Sequence, residues 1–427
     1  MDSKIIYRGD NGFSTSSVEA FSKLRVEAVR LLNFKAFLDS GWIEFEEINL
    51  LLGRNSIGKS SITQAIQMLM TSYDKMRQGQ IQPGLLVLED DFGSFFDIKN
   101  HSSDCQSFSI LFRLAGRKNK YVYDITVSDH RSESEITVSL KTENATIYSV
   151  SGANAVDNIF FARLSDVDGT SVDTALFMNA VNTIKEFAAG LGYISPIRSV
   201  PHRQFSVSGT MASTVGYRGD NTYDMLFYLS QIKGEVPEAI RVWLEKFGYE
   251  LVWKSQGENR NEGSFWLKNL KTGNLTNIVD NGFGISQSLP IVLEMTMKES
   301  GLLVIDSPEA HLQAPIESEF ADIIVMARRE KTSIMLETGS EQIIMRIRKL
   351  VAEGKISPDD VSCYFIDENE GDNRVKCVRL NISADGIMNS EDTSFSEFFS
   401  DTAMDLMEIK KIQFERARKK LDAENSN

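Results

Sequence analysis

Cysteine, histidine and positive charge are all in short supply here. Three cysteines (Cys105, Cys363 and Cys377) are spread over 427 residues, too few and too scattered for a disulfide framework or a Cys-rich zinc site. The four histidines (His101, His130, His202 and His311) do not cluster, which argues against a His-metal hydrolase or an HNH-type nuclease. Sixty acidic residues against 46 basic ones leave a formal net charge of −14, so the chain is not built to coat DNA through a global positive field. A local basic patch stays open. No apolar run approaches the ~18 residues of a membrane-spanning helix, and the start, MDSKIIYRGDNG, lacks the apolar stretch of a signal peptide. The expectation is a soluble protein of the reducing cytoplasm with no membrane partner. Internal repeats and low-complexity tracts are missing too.

What is present is apolar material for one or two packed cores: 42% of residues are hydrophobic and 25% charged. Residues 1–24 read as a polar N-terminal extension. From Leu24 the text alternates, LRVEAVRLLNFKAF and then WIEFEEINLLLG, a strand ending at Gly53. Ser60 to Met76 carries Ile62, Ala65, Ile66, Leu69 and Met70 at helical spacing. FSILFRLA, YVYDITVSD and SEITVSLKTE read as antiparallel strands, and residues 172–191 as a helix ending at Gly192. Residues 193–226 are irregular and rich in Gly, Pro and Arg. Helices are expected near 223–232 and 237–247, then a hairpin between Trp253 and Ile278, with Trp243, Trp253 and Trp266 packing the core of an insertion. Beyond it, apolar strands (GLLVIDSPE, TSIMLET) alternate with helices, the pattern of a mainly parallel sheet covered on both faces.

Gly53, Arg54, Asn55, Ser56, Ile57, Gly58, Lys59 and Ser60 fit G-x-x-x-x-G-K-[ST], the phosphate-binding loop. The two glycines allow torsions that aim several N–H groups into one concavity. Lys59 brings a mobile charge for the β- and γ-phosphates, and Ser60 offers a hydroxyl to Mg²⁺. The helix that follows points its positive end at the same anions. The apolar strand before the loop and the amphipathic helix after it supply the context that a bare motif match lacks, so ATP with Mg²⁺ is the expected ligand.

Asp306 ends the apolar strand GLLVID, where a carboxylate can hold Mg²⁺ beside the loop. Upstream, NGFGISQSLPI (281–291) is a Gly-x-Gly turn with Ser286 and Gln287 at a helix start, a possible second anion site. The spacing between Lys59 and Asp306 exceeds what small kinases and GTPases need, so the α/β head is interrupted by an insertion.

Taken in order, GRNSIGKSS, the GFGISQSLP signature, the VIDSPEAHL strand and ETGSEQIIMRIRKLVAEG resemble the ABC-type ATPases of the RecF/OLD/SMC group. More closely, they are similar to compact bacterial AAA-like ATPases without long coiled coils, often encoded in anti-phage defence loci. VRLLNFKAF (29–37), DFGSFFD (91–97) and the PIR and RGDN stretches within 196–221 carry the resemblance over most of the chain. It implies that Asn33, Phe34 and Lys35 lie near the adenine or support the strand beside it, and that Ser61 joins the loop residues in binding nucleotide. Asp91 to Asp97 falls where a Q-loop is expected, although no Gln stands there. The resemblance further implies that Gly284, Ser286 and Gln287 read the γ-phosphate on a second subunit, and that Glu337, Thr338, Gly339 and Ser340 form the switch loop.

Two positions depart from that pattern. The glutamate that activates water in such heads is replaced by Ser307, and a serine hydroxyl is no base near neutrality without activation. The switch histidine is replaced by Gly339. Glu309 is the candidate substitute base, alongside Asp306 as the other catalytic residue; a plain loop carboxylate orienting His311 or a helix end explains Glu309 equally well. Arg198, Arg203 and Arg218, with His202 and Tyr217, either contact phosphates or pair with surplus carboxylates. KKIQFERARKKL (410–421) carries six bases, which suit a solvated face, a partner surface or nucleic acid.

The expected architecture is therefore α/β: an ABC-type P-loop ATPase head, a mainly parallel sheet with helices on both faces plus an antiparallel β region, interrupted by an α+β lobe. The chain divides into an extension (1–24), a first head segment with the phosphate loop (25–114), an inserted lobe (115–278), a second head segment (279–370) and a C-terminal cap (371–427). The expected function is an ATP-gated sensor or scaffold in defence against phage, with slow or partner-dependent hydrolysis. Expected partners are a second copy in a homodimer or larger homo-oligomer and a separately encoded effector, such as a Toprim or HNH nuclease; nucleic acid stays open. The alternatives are a DNA-repair or chromosome-maintenance ATPase acting on DNA directly, and a nucleotide-locked scaffold that does not hydrolyse. The defence role rests on resemblance alone.

Overall fold

The computed structural model describes residues 25–54, 56–77, 92–115, 120–130, 133–142, 146–151, 174–234, 236–256, 259–327, 332–369 and 374–389. The expected extension, Asn55, Asp91 and the basic stretch 410–421 lie outside the described residues. Among those described, no helix is long and apolar enough to cross a membrane.

The alternating opening forms β1 (Arg25–Phe34), which pairs antiparallel with β2 (Phe37–Asp39) and β3 (Ile43–Glu44). INLLLG forms β4 (Ile48–Gly53), buried at every position. Its continuous apolar text has a simple cause. Leu51 packs into one core while Ile48, Leu50 and Leu52 pack into another on the opposite face. Helix α1 (Lys59–Arg77) begins inside the glycine-rich turn and buries Ile62, Ala65, Ile66 and Leu69. A short helix, α2 (Phe95–Ile98), is closed by a capping box between Ser94 and Asp97.

The expected antiparallel strands follow as β5 (Ser107–Ala115), β6 (Lys120–His130), β7 (Glu133–Lys141) and β8 (Thr146–Ser151). With β1 to β3 they make a seven-stranded antiparallel sheet in the order β2-β1-β5-β6-β7-β8, β3 pairing with β1. Strict alternation in β5 turns Phe108, Ile110, Phe112 and Leu114 toward the first core. Helix α3 (Thr174–Ala189) then leads into β9 (Leu191–Ile194).

A small module comes next: β10 (Phe205–Ser206), α4 (Thr222–Phe227), α5 (Glu238–Lys246), β11 (Tyr249–Gln256), β12 (Asn259–Asn269) and β13 (Leu275–Asn277). The chain then alternates through α6 (Phe283–Met297), β14 (Gly301–Asp306), α7 (Ala314–Ala327), β15 (Thr332–Glu337), α8 (Glu341–Ala352), β16 (Val361–Glu368), β17 (Val375–Ile382) and β18 (Met388–Asn389). The second large sheet runs β18-β17-β16-β4-β15-β14-β9, parallel from β16 to β9 and antiparallel at β17 and β18.

The sheets redraw the segment boundaries expected from sequence. A cut after residue 114 splits the antiparallel sheet between β5 and β6. Strand β9 falls inside the span read as an inserted lobe, yet it pairs in parallel with β14. Strand β17 lies beyond residue 370 and pairs with β16. Sheet membership depends on partners far away in sequence, and four residues such as LGYI carry no period that could reveal one. The tryptophans divide as well. Trp253 packs within the module against Phe227 and Phe265, whereas Trp243 packs on Phe320 of α7 and donates to the Ser288 hydroxyl on α6 at 2.7 Å.

Candidate nucleotide site

The carboxyl ends of parallel strands β4, β14 and β15 lie side by side, and each ends in a residue singled out from sequence: Gly53, Asp306 and Glu337. The loop after β4 needs its glycines. Gly53 has φ 143° and a Cβ there would lie 2.4 Å from the Ile366 carbonyl oxygen. Gly58 has φ 116° and its Cβ would meet that of Ala36 at 2.5 Å. Ser56 also takes a positive φ, 64°. Lys59 folds back to donate to the carbonyl oxygens of Gly53 and Arg54, both at 2.8 Å. Burial lowers its pKa, and the charges of Glu337, Glu309 and Asp306 oppose that shift. Arg54 is exposed, Ile57 packs against the first core, and the Ser61 hydroxyl accepts from the Ala36 N–H at 3.4 Å.

Ser60 and Thr63, one turn apart on α1, both donate to Glu337 at 2.6 Å, one to each carboxylate oxygen. Burial, followed by the charge of Asp306, pushes the pKa of Glu337 up. Asp306 accepts from the Tyr193 hydroxyl at 3.1 Å and from the Ser307 hydroxyl at 2.8 Å. Ser307 sits at φ 47°, a left-handed conformation that non-glycine residues rarely adopt. Arg198 holds that turn. It is 2% exposed and donates to the carbonyl oxygens of Asp306 and Ser307, both at 2.9 Å, and to that of Gln287 at 3.4 Å. Burial lowers its pKa to about 10.

Glu309 accepts from the Thr338 hydroxyl at 2.8 Å and the Gly339 N–H at 2.9 Å, so it ties the turn after β14 to the turn after β15. Burial raises its pKa, against those hydrogen bonds. Ser340 caps α8 by accepting from Ile343 N–H, and it donates to Glu317 at 2.6 Å. A cleft of about 490 Å³ is lined by Lys59, Ser60, Ser307, Glu309, Glu337 and Gly339, among others. Among the described residues Lys59 is the one cation of this lining, beside Glu309, Glu317 and Glu337, so a polyanion fits here together with a divalent cation and by drawing Lys59 off its own loop carbonyls. Among the described residues no three His, Cys, Asp or Glu side chains are grouped to hold a metal. Mg²⁺ bound with a nucleotide needs only one or two protein oxygens beside phosphates and water, and the Ser60 hydroxyl and Asp306 fit that demand.

Other expected site residues are placed differently. Phe34 is buried edge-on against Phe108, and Asn33 and Lys35 take positive φ (50° and 47°) in the turn after β1. The buried Phe34 ring offers no stacking face for a base, while the turn abuts the phosphate loop through Ala36, which lies against Gly58 and donates to Ser61. Ser286 is 2% exposed and donates to the Phe283 carbonyl at 3.2 Å, so its hydroxyl is not presented outward. Gln287 is buried and donates to the Arg198 carbonyl at 3.4 Å. A side chain at Gly284 would press on the His311 carbonyl at 3.2 Å. What faces outward at this helix start is Gly282 and Phe283, with Phe283 beside the His311 ring at 5.7 Å. Arg203 pairs with Asp280 at the surface, the carboxylate-pairing reading. Sequence reasoning missed Thr63 and Tyr193. Thr63 could have been found as a polar residue on the buried face of α1; Tyr193 carried no signal.

Residues 25–189 match the family described as AAA ATPase domain. No curated protein matches the chain. Similar solved structures include an Smc head bound to the C-winged helix domain of ScpA, 12% identical over 84% of this chain and 98% of that one, TM-score 0.48. Another is the SMC head domain from Thermotoga maritima, 12% identical over 84% and 100%, TM-score 0.40. A third, from Pyrococcus furiosus, is an Smc head with an extended coiled coil bound to the C-terminal domain of ScpA, 11% identical over 84% and 97%, TM-score 0.48. The matched region supplies the phosphate loop, and the chain has a mixed α/β fold, with one large antiparallel sheet and one mainly parallel sheet.

Proposed function

We propose that the chain binds ATP·Mg²⁺ in the cleft at the ends of β4, β14 and β15 and acts as an ATP-gated switch that hydrolyses slowly. One observation carries this reading: Lys59, Ser60, Asp306 and Glu337, far apart in sequence, converge on one sheet end. Loop N–H groups and Lys59 would hold the phosphates, and Ser60 with Asp306 would hold the magnesium, whose charge would offset that of the phosphates. Glu337 fixes the Ser60 hydroxyl. Arg198 and Tyr193 fix Asp306, one through its backbone and the other through its carboxylate.

Slow turnover follows from the base position. Ser307 spends its hydroxyl on Asp306, and a serine cannot take a proton from water near neutrality without activation. Glu309 is the substitute. Its raised pKa brings it nearer to the value at which a carboxylate works as a general base, and its hydrogen bonds to Thr338 and Gly339 make its position depend on the switch turn. The same Ser307 supports a second reading, a scaffold locked by nucleotide with negligible hydrolysis.

A second copy would meet the outward face at the start of α6, where Phe283 is 55% exposed. Ser286 then acts from behind that face, holding the helix start by its bond to Phe283. The wider role, a cytoplasmic sensor in anti-phage defence governing a separately encoded effector such as a nuclease, rests on the resemblance of the motifs. It is tested by plating phage on cells that carry the chain with its neighbouring genes, wild type against Lys59→Ala. Protection lost in the variant supports the role; equal plating in both, with the protein expressed, counts against it.

A further inference from the structure

A larger cavity, about 830 Å³, lies beside the outer strand β9 and shares no lining residue with the phosphate-loop cleft. Its size falls within the roughly 300–1,000 Å³ of pockets that hold small organic ligands. Met70, Phe187, Leu191 and Met297 give it apolar wall, and Lys298 gives it a cation. That ammonium reaches over Gly192, where a Cβ would lie 3.1 Å from its Nζ, so any side chain at 192 would crowd it. The charge acting on Lys298 among the described residues is that of Glu294, one turn earlier on α6. Glu294 is itself buried and already accepts from the Val215 N–H at 2.8 Å. Asp74, Lys75, Lys185 and Glu186, which also line it, each have interactions of their own, and Glu299 adds an exposed carboxylate to the same lining. Lys298 is thus a half-buried cation whose ammonium makes no hydrogen bond or ion pair within 4 Å to a described residue, Glu294 acting on it only at longer range, a state that an anion would relieve.

The cavity is also wired to the nucleotide site. Tyr217 and Tyr193 both line it and stack at 5.4 Å with their planes 12° apart, and the Tyr193 hydroxyl donates to Asp306. One side chain therefore touches both the cavity and the carboxylate assigned to magnesium.

We propose that this cavity binds a small organic anion, a carboxylate or phosphate ester with an apolar body, its head on Lys298 and its body along Leu191 and Tyr217. Its occupancy biases Asp306 through Tyr193 and so tunes ATP·Mg²⁺ binding; this second half rests on the nucleotide reading above. The test is calorimetry on the full chain carrying Lys59→Ala, which disables the phosphate loop, with benzoate and phenyl phosphate as probes and benzyl alcohol as the neutral control. At least one anion is expected to bind with a dissociation constant of about 1 mM or tighter. Adding Lys298→Met should weaken it at least about tenfold without changing the response to benzyl alcohol, and Gly192→Leu, which keeps the charge but fills the wall, should weaken it as well. Which of the two anions binds tighter separates a carboxylate from a phosphate ligand. No binding of either anion, or equal binding to the Lys298→Met variant, overturns the site. In the chain with Lys59 intact, saturating anion should shift ATP·Mg²⁺ affinity at least about threefold, and Tyr193→Phe should abolish that shift while sparing anion binding. Anion binding with no shift overturns the coupling alone, and failure to bind ATP would leave the calorimetric arm standing.

Discussion

Glu337 accepts a 2.6 Å hydrogen bond from Ser60, a residue 277 positions earlier in the chain. The contact joins the end of β15 to the first turn of α1. It leaves a carboxylate buried beside Asp306 with hydroxyls as its hydrogen-bond partners. Any ion or phosphate that reorders Ser60 must therefore also be felt at Glu337, and through it at the turn containing Thr338 and Gly339.

The protonation of Glu337 sets a pH slope. Its pKa is raised in the folded chain, mostly by burial, so the folded state retains a proton that the unfolded chain releases around its ordinary value of about 4.3. More protons bound in the folded state mean that stability falls as pH rises from that value through the raised one. Thermal unfolding without nucleotide should show this decline, and Glu337→Gln should flatten it. A wild-type stability that rises across the same window relative to Glu337→Gln contradicts the assignment.

Hydrolysis should respond to two substitutions in opposite directions. Ser307→Glu restores a carboxylate after Asp306 and should raise phosphate release, whereas Glu309→Gln should lower it. Because the pKa of Glu309 is raised, the wild-type rate should climb with pH through a value above the ordinary one for a glutamate, and Glu309→Gln should remove that climb. Wild-type turnover alone at the roughly 1–10³ per second common among enzymes would contradict the slow-switch reading.

Arg198 is expected to matter through the backbone. Arg198→Met leaves the Asp306 and Ser307 carbonyls without their donor, which costs about 1–3 kcal/mol for a buried group, and ATP·Mg²⁺ affinity should fall with stability. Arg198→Lys, which can reach one carbonyl, should recover some of both. Calorimetry and denaturant unfolding measure the two effects, and an unchanged ATP affinity in Arg198→Met would remove the positioning role.

Association can be probed at Phe283. A Phe283→Arg variant changes an exposed position, unlike any bulky substitution at buried Ser286, which would disturb the folded helix start itself. Light scattering should detect ATP-favoured pairing in wild type and its loss in Phe283→Arg, with nucleotide affinity of the single head nearly intact. A mass indifferent to nucleotide, together with unchanged activity in the variant, counts against pairing on this face.

Much of this was legible in the sequence where chemistry and local period coincide. Gly53, Gly58, Lys59 and Ser60 could be read because a phosphate loop needs those residue types at that spacing. Strand β4 could be read because burial on both faces produces an unbroken apolar run. Strand β9 and the membership of β17 were not legible, since long-range pairing leaves no local mark on four or eight residues. Arg198 was read as a phosphate contact or a partner of surplus carboxylates, because composition alone cannot show a guanidinium held by backbone carbonyls. Ser286 was identified as a helix-start residue but not as buried, because burial there is set by α6 packing against the Arg198 segment and the His311 turn.

The most direct test of the central claim is calorimetric titration of ATP·Mg²⁺ into the wild-type chain and into Lys59→Ala. Wild type should bind with one site per chain, and Lys59→Ala should lose at least about 1–3 kcal/mol, the worth of a charged hydrogen bond to phosphate. Unchanged ATP affinity in Lys59→Ala, or no binding to wild type, would contradict the account.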